Sequence, residues 1–354
     1  MKLAVLCVAA MTTTVAHAQP YAYVPLFSGG LYVQNLATNF APTTVALGTN
    51  PFGIALNPAG TRAYITNNGG LAVSVVDTST NTSIATINVG NVPTGIAVTP
   101  DGNRVYSANQ NDGTVSVINT STNTVTTTVT VGLGPVGVAV HPDGSRVYVA
   151  NFTAGTVSVI NTSTNTVTAT ITLGAQPYGV AINAAGTRAY VTNYGANDVS
   201  VIDTTNNLVL TTVSVGSGPT GIAVQPGDAR VYVSNTSSGS ISVIDTASNL
   251  VVANITGFFE TTPEPRGLSF SSTGGVLYAA TGGYLIRIST RLNQVMFATD
   301  IPGAYAIGNF VTSSGSAGAP VITSGPPPAA TAGSFYPFQL VASGTLPNLW
   351  RIAG

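Results

Sequence analysis

Apolar and polar positions alternate in short runs along most of this chain. In Pro135–Gly174, PVGVAVHPDGSRVYVANFTAGTVSVINTSTNTVTATITLG, four runs stand out: GVAV, RVYVAN, TVSVIN and TVTATITL. They are rich in Val, Ile, Thr and Tyr and carry the two-residue period of strands. HPDG and TSTN separate them with the residue types of tight turns. No helical period interrupts the pattern. Four strands joined by short turns predict an antiparallel meander.

The stretch recurs every 42 residues. Its opening hexapeptide returns as PFGIAL at Pro51, PTGIAV at Pro93, PYGVAI at Pro177 and PTGIAV again at Pro219. PRGLSF at Pro265 follows a four-residue insertion. A repeated four-stranded meander of this length is the blade of a β-propeller. The tyrosine of the second strand counts the blades: Tyr23, Tyr64, Tyr106, Tyr148, Tyr190, Tyr232 and Tyr278 make seven. The fold class expected is therefore all-β, a seven-bladed propeller over residues 19–311. The first blade has only three strands at its N-terminal end. PGAYAI at Pro302–Ile307 aligns with PTGIAV, with Ala304 in the glycine place, and is expected to close the ring against the strand around Ala22–Pro25. Closure would remove an open sheet edge.

The runs AYVTN (Ala189–Asn193), VYVAN and VYVSN, each followed by VSVID or a close variant, resemble the YVTN family of β-propeller repeats. The resemblance spans about Tyr21–Phe310. It implies a seven-bladed propeller at or beyond the cell surface and assigns no single activity.

Positions repeated from blade to blade point to structural work. Asn67, Asn109, Asn151, Asn193 and Asn235 end second strands, where such a side chain can bond its own turn. Arg62, Arg104, Arg146, Arg188 and Arg230 follow the first turn, placed for turn carbonyls or an acidic neighbour. Gly53, Gly95, Gly137, Gly179, Gly221 and Gly267 head the inner strands, which crowd at the axis.

Chemistry is better sought where the repeat breaks. In a four-stranded meander the first and third turns share one face of the disc, and the 2–3 and interblade loops share the other. The latter, the loop face, varies and is the candidate binding face. It carries Phe52, Tyr178 and Arg266 in the second place of inner strands, and Phe152 and Tyr194 in 2–3 loops. TGFFETTPEPRG adds Phe258, Phe259, Glu260 and Glu264, the latter two being the only glutamates in the chain. Two carboxylates can act as acid and base or bind a cation or sugar. The alternative is an exposed loop with a local Glu264–Arg266 pair. His141 stands on the turn face, where other blades have Asn57, Thr99, Asn183 and Gln225. It is expected to be remote from Glu260. The Asp112 and Asp198 loops remain open as calcium sites.

Composition narrows the classes. Residues 1–18 read as a signal peptide: Lys2, the apolar run Leu3–Ala10, and Ala16-His17-Ala18 before the cleavage site. That segment holds the only cysteine, Cys7, and the only lysine. The remainder has nine arginines against eleven carboxylates, a formal charge of −2. No nucleic-acid footprint and no transmembrane segment are present. With no Cys or Lys and one His left, a Ser-His-Asp triad, thiol chemistry, a Schiff base and a His/Cys zinc site drop out. No cofactor and no metal are expected. Charged residues are only 6% of the chain, and the threonine-rich fourth strands lack guarding lysines. Lateral self-association through those edges is therefore expected.

Residues 312–319 read as a linker. Residues 320–354 resemble the opening of immunoglobulin-like domains of bacterial surface proteins; such a sandwich needs ~100 residues, so either the chain is cut short or this piece docks elsewhere. The expected function is an exported, non-enzymatic binding or scaffolding module, periplasmic or at the cell surface, whose partner is a protein, glycan or small molecule. The alternative is a lactonase-like hydrolase or lyase using Glu260 and Glu264.

Overall fold

A computed structural model describes residues 20–37, 42–257, 264–302, 307–311, 321–322 and 342–343. The propeller expected from the repeat is present. The fourth blade shows the plan: strands Pro135–Val140, Arg146–Asn151, Thr156–Asn161 and Thr166–Thr172, hydrogen-bonded in chain order. The third, fifth, sixth and seventh blades, opening at Pro93, Pro177, Pro219 and Gly267, have the same order. The second blade runs from Pro51 to Asn88, and the first has Tyr21–Leu26, Gly30–Asn35 and Thr43–Ala46. Second and third strands are buried on both sides, and each interface between blades is filled by Val, Ile and Tyr. Apart from the propeller, Val321–Ile322 pairs antiparallel with Ala342–Ser343.

Ring closure occurs in a shifted register. Ala22 bridges Val311, and Tyr23 N–H donates to the Phe310 carbonyl at 2.8 Å. In other blades the fifth residue of the inner strand faces the tyrosine, as Ala97 faces Tyr106 and Ala139 faces Tyr148. Phe310 takes that place in the first blade, so the glycine place falls on Gly308. Ala304, the expected occupant, lies outside the described residues. The closing strand Ile307–Asn309 also runs parallel to its neighbour in the second blade, pairing Gly308 with Ile54.

The reason is steric. A Cβ at Gly95 would lie 2.0 Å from the Val136 carbonyl oxygen, and one at Gly137 would lie 2.1 Å from that of Tyr178. Each inner strand thus presses a glycine against the next blade. A register shift after the proline frees the glycine N–H from the ladder. In three blades a hydroxyl takes it up and carries the bond across. Thr66 Oγ1 accepts from Gly53 N–H at 2.8 Å and donates to the Thr94 carbonyl at 2.7 Å. Thr192 and Ser234 repeat this toward Thr220 and Arg266.

The turn face is strapped between blades. Arg62 donates to the Thr120 carbonyl at 2.8 Å and Arg188 to that of Thr246 at 2.7 Å, while Arg104 and Arg146 bond those of Thr162 and Thr204. Of the two partners expected for these arginines, the turn carbonyl is found, and it belongs to the next blade. Beside the Arg104 and Arg146 straps a tyrosine hydroxyl reaches the same turn: Tyr106 to Asn165 at 3.1 Å and Tyr148 to Asn207 at 3.0 Å. Burial pushes both phenols up, so they stay neutral donors. The strand-ending asparagines do not bond their own turn backbone as expected. Asn109 and Asn151 each donate to a third-strand serine, Ser116 and Ser158, at 2.9 Å. The serine lies two residues beyond the threonine directly opposite, Thr114 or Thr156, to whose hydroxyl the asparagine also donates at 3.0 Å.

Third turns begin with an acceptor that gathers the next residues. Asp77 Oδ1 accepts from Ser79 Oγ at 2.6 Å and from its N–H at 2.8 Å. Asn119 and Asn161 do the same with Ser121 and Ser163. Donors from Ser79, Thr205 and Ser248 hold the carboxyls of Asp77, Asp203 and Asp245 below the usual carboxylate range.

Two outcomes are expected. Cutting after Ser313 leaves the closing strand in place, whereas cutting after Thr299 removes Phe310 and Val311, which are 0% and 2% exposed. Each contributes about 1.5–3 kcal/mol of burial, out of the roughly 5–15 kcal/mol that holds a typical domain. Thermal melts should show the longer protein intact and the shorter one strongly destabilised or aggregated; equal midpoints would refute the closure. The second outcome concerns pH. Carboxyls lowered on folding stabilise above their unfolded value, near 4, and lose that contribution as pH falls below it. Thermal midpoints should therefore drop on acidification below about pH 4. Replacing Asp77, Asp203 and Asp245 together by Asn, which keeps the accepting oxygen, should flatten that drop.

Candidate functional site

The loop face brings three of the sequence-selected aromatic residues together. Phe152 and Tyr194 open the 2–3 loops of the fourth and fifth blades, and Tyr178 takes the second place of the inner strand between them. Phe152 meets Tyr178 edge-on with ring centroids 6.0 Å apart, and Tyr194 lies 6.1 Å from Phe152 and 6.5 Å from Tyr178. Such spacings are those of favourable aromatic pairs. Backbone bonds fix the loops: Phe152 N–H to the Gly134 carbonyl at 2.8 Å, and Tyr194 N–H to that of Gln176 at 3.0 Å. Gln176 has a φ of 54°, in the left-handed region. The rings are not sealed in. Tyr194 is 37% exposed, Phe152 and Tyr178 are half-buried, and Leu133 in the adjoining loop is exposed.

The other selected residues stand apart. Phe52 is buried in the second blade. Arg266 opens the seventh blade, donates to Glu264 and gives its carbonyl to Ser234 at 2.8 Å. Phe258, Phe259 and Glu260 lie outside the described residues. Asp112 Oδ2 accepts from Asn91 N–H at 2.7 Å and Asp198 Oδ1 accepts from Asn193 at 2.6 Å, so both carboxylates bind their own surroundings.

His141 sits on the turn face, as the strand order requires. Its Nε2 lies 2.7 Å from the Gly186 carbonyl of the next blade, and its Nδ1 lies 2.6 Å from Asp143 Oδ1. Gln225 makes the equivalent interblade bond to Gly274 at 3.0 Å. Partial burial raises the Asp143 carboxyl, but bonds from Ser145 and His141 outweigh it and bring it down to about 2. The histidine is thus an interblade tie.

A feature that sequence reasoning missed lies on the propeller axis. A cavity of about 580 Å³ runs from the glycine tier to the first turns. Aliphatic inner-strand residues wall it, among them Ile96, Val138, Val180, Ile222 and Leu268, and Val311 of the closing segment joins them. Asn57, Ser271 and Ser272 stand at its turn-face end. No second-place residue of an inner strand lines it, so it is separate from the aromatic cluster. Its signal in the sequence was the combination of glycine in the third place and alanine in the fifth, which leaves the axis unfilled.

Fold and faces together define a seven-bladed repeat propeller with a regular, strapped turn face and a variable loop face. The chain belongs to the choice-of-anchor I domain family, which matches residues 5–220. Membership in a choice-of-anchor family suggests a surface-anchored or exported protein, and no helix among the described residues is long and apolar enough to cross a membrane. No curated protein matches the chain. Among solved structures it is similar to Kuenenia stuttgartiensis hydrazine synthase, with a TM-score of 0.66 and 20% identity over 72% of this chain and 88% of that one. It is also similar to a functionally unknown protein from Desulfotomaculum acetoxidans DSM 771, with a TM-score of 0.57 and 17% identity over 67% of this chain and 82% of that one. At these identities the likeness shows the shared fold.

Proposed function

We propose that the protein is an exported, non-enzymatic binding module, with its ligand held on the loop face at Phe152, Tyr178 and Tyr194. One observation carries this reading. Three rings from two blades converge on a partly exposed surface, where the same places elsewhere hold Thr94, Val136, Thr220, Asn68 and Gln110. Blades with those residues fold equally well, so packing alone does not require the aromatics. Exposed rings beside an apolar neighbour offer a large contact area to a protein, a glycan or a small molecule at little entropic cost. The YVTN-type repeats and the leader at residues 1–18 support release from the cytoplasm into the periplasm or onto the cell surface. Glu264, the described member of the glutamate pair in the inserted loop, is engaged by Arg266.

Two measurements test the proposal. Protein recovered from its native host should begin at or near Gln19 by mass spectrometry; a cytoplasmic product retaining Met1–Ala18 would contradict export. In a screen of glycans and host surface fractions, the double variant Tyr178→Ala, Tyr194→Ala should lose binding by at least about tenfold, equivalent to about 1.4 kcal/mol. His141→Asn, on the opposite face, should bind normally. Unchanged binding in the tyrosine variant would refute the site.

A further inference from the structure

The axial cavity has the size and chemistry of a binding site in its own right. Its volume, about 580 Å³, falls within the range of small-molecule pockets, ~300–1,000 Å³. No ionisable side chain among the described residues lines it. Of the four polar side chains that do, Asn57, Ser269 and Ser271 are committed to the fold and Ser272 is exposed at the turn-face end. Asn57 Oδ1 accepts from the N–H groups of Thr61 and Arg62 at 2.8 and 2.9 Å. Ser269 Oγ accepts from Val311 N–H at 3.3 Å, and Ser271 Oγ from Val276 N–H at 3.1 Å.

These facts limit what can enter. An ion placed there would lose its hydration and gain no counter-charge, at a cost of several kcal/mol. The aliphatic side chains offer water no hydrogen bond, and its partners in the cavity are the inner-strand backbone and the polar groups at the turn-face end. A neutral molecule with an aliphatic body would bury its surface against Ile, Val and Leu and keep any hydroxyl or amide near the inner-strand backbone and the serines at the open end. The glycine tier bounds the site on the loop-face side, so entry is from the turn face, between Asn57 and Ser271.

We propose that the axial cavity binds an uncharged, mainly aliphatic small molecule that enters from the turn face. The site is independent of the aromatic cluster, since the two share no residue. Its walls are rigid because the inner strands are locked at the glycines and the turns are strapped by arginine and histidine. The pocket is therefore preformed, and binding needs no opening of the ring.

The test uses the neutral dye N-phenyl-1-naphthylamine with the whole protein at pH 8. Fluorescence should rise saturably to one dye per chain. Decanol should displace the dye, and decanoate, of equal length but charged, should do so at least tenfold less well. Val180→Trp together with Ala223→Phe should fill the cavity and abolish uptake while circular dichroism and the melting midpoint are retained. Should that variant fold poorly, Ile222→Thr places a hydroxyl on the wall with little change of volume and should weaken uptake about three- to tenfold. Tyr178→Ala with Tyr194→Ala should leave uptake unchanged, which separates this site from the loop face. Absence of saturable uptake, equal displacement by alcohol and carboxylate, or full uptake by a folded cavity-filling variant would overturn the proposal.

Discussion

Inner strands of neighbouring blades meet glycine against carbonyl, and the ring is organised around that contact. Space at the axis allows no side chain there. A Cβ at Gly221 would lie 1.9 Å from the Arg266 carbonyl oxygen, so the two backbones would have to part. The hydroxyls of Thr66, Thr192 and Ser234 turn the same contact into a hydrogen-bonded seam. Farther from the axis, arginine and tyrosine reach the next blade's third turn and fix the angle between sheets. A seam at the centre and straps at one face leave the opposite face free to vary in sequence.

That division assigns different tasks to the two faces. Aromatic residues gather on the loop face because its loops are held by backbone bonds that tolerate any side chain. The turn face is regular because its side chains are occupied: even His141, the single histidine among the described residues, does there what Gln225 does elsewhere. Between the faces, locked inner strands enclose a space that no side chain fills.

Much of this was legible in the letters. Tyrosine at a fixed place, glycine at the head of each inner strand and Pro-Asp-Gly turns are local signals, and they gave the blade count and the strand limits. The closing strand was misplaced by four residues because PGAYAI resembles PTGIAV more than AIGNFV does. Backbone bonding of Ala22 and Tyr23 to Val311 and Phe310 instead places Gly308 at the tier. The role of the asparagines was misread for a related reason. Their serine partners lie seven residues on, across a strand pair whose register must be known first. Phe152, Tyr178 and Tyr194 could be named from sequence, but their convergence depends on how the fourth and fifth blades meet. The cavity was hidden because it results from the number of blades and the small residues at their heads, a property of the ring and of no single stretch.

A ring fastened by its own distant ends also constrains how such a chain can grow. Adding a repeat beyond either end would leave the Ala22–Val311 junction with a surplus blade and no place for it. A new blade can enter only by duplication inside the chain, where it inherits complete neighbours on both sides. The units at Pro93, Pro135, Pro177 and Pro219 keep their spacing and nearly their wording, as recently copied segments would. The first and seventh blades have drifted instead, to Leu26 and Thr281 in the asparagine place and Arg287 among buried valines. Similarity between blades is thus greatest in the middle of the chain and least beside the seam where the circle is joined.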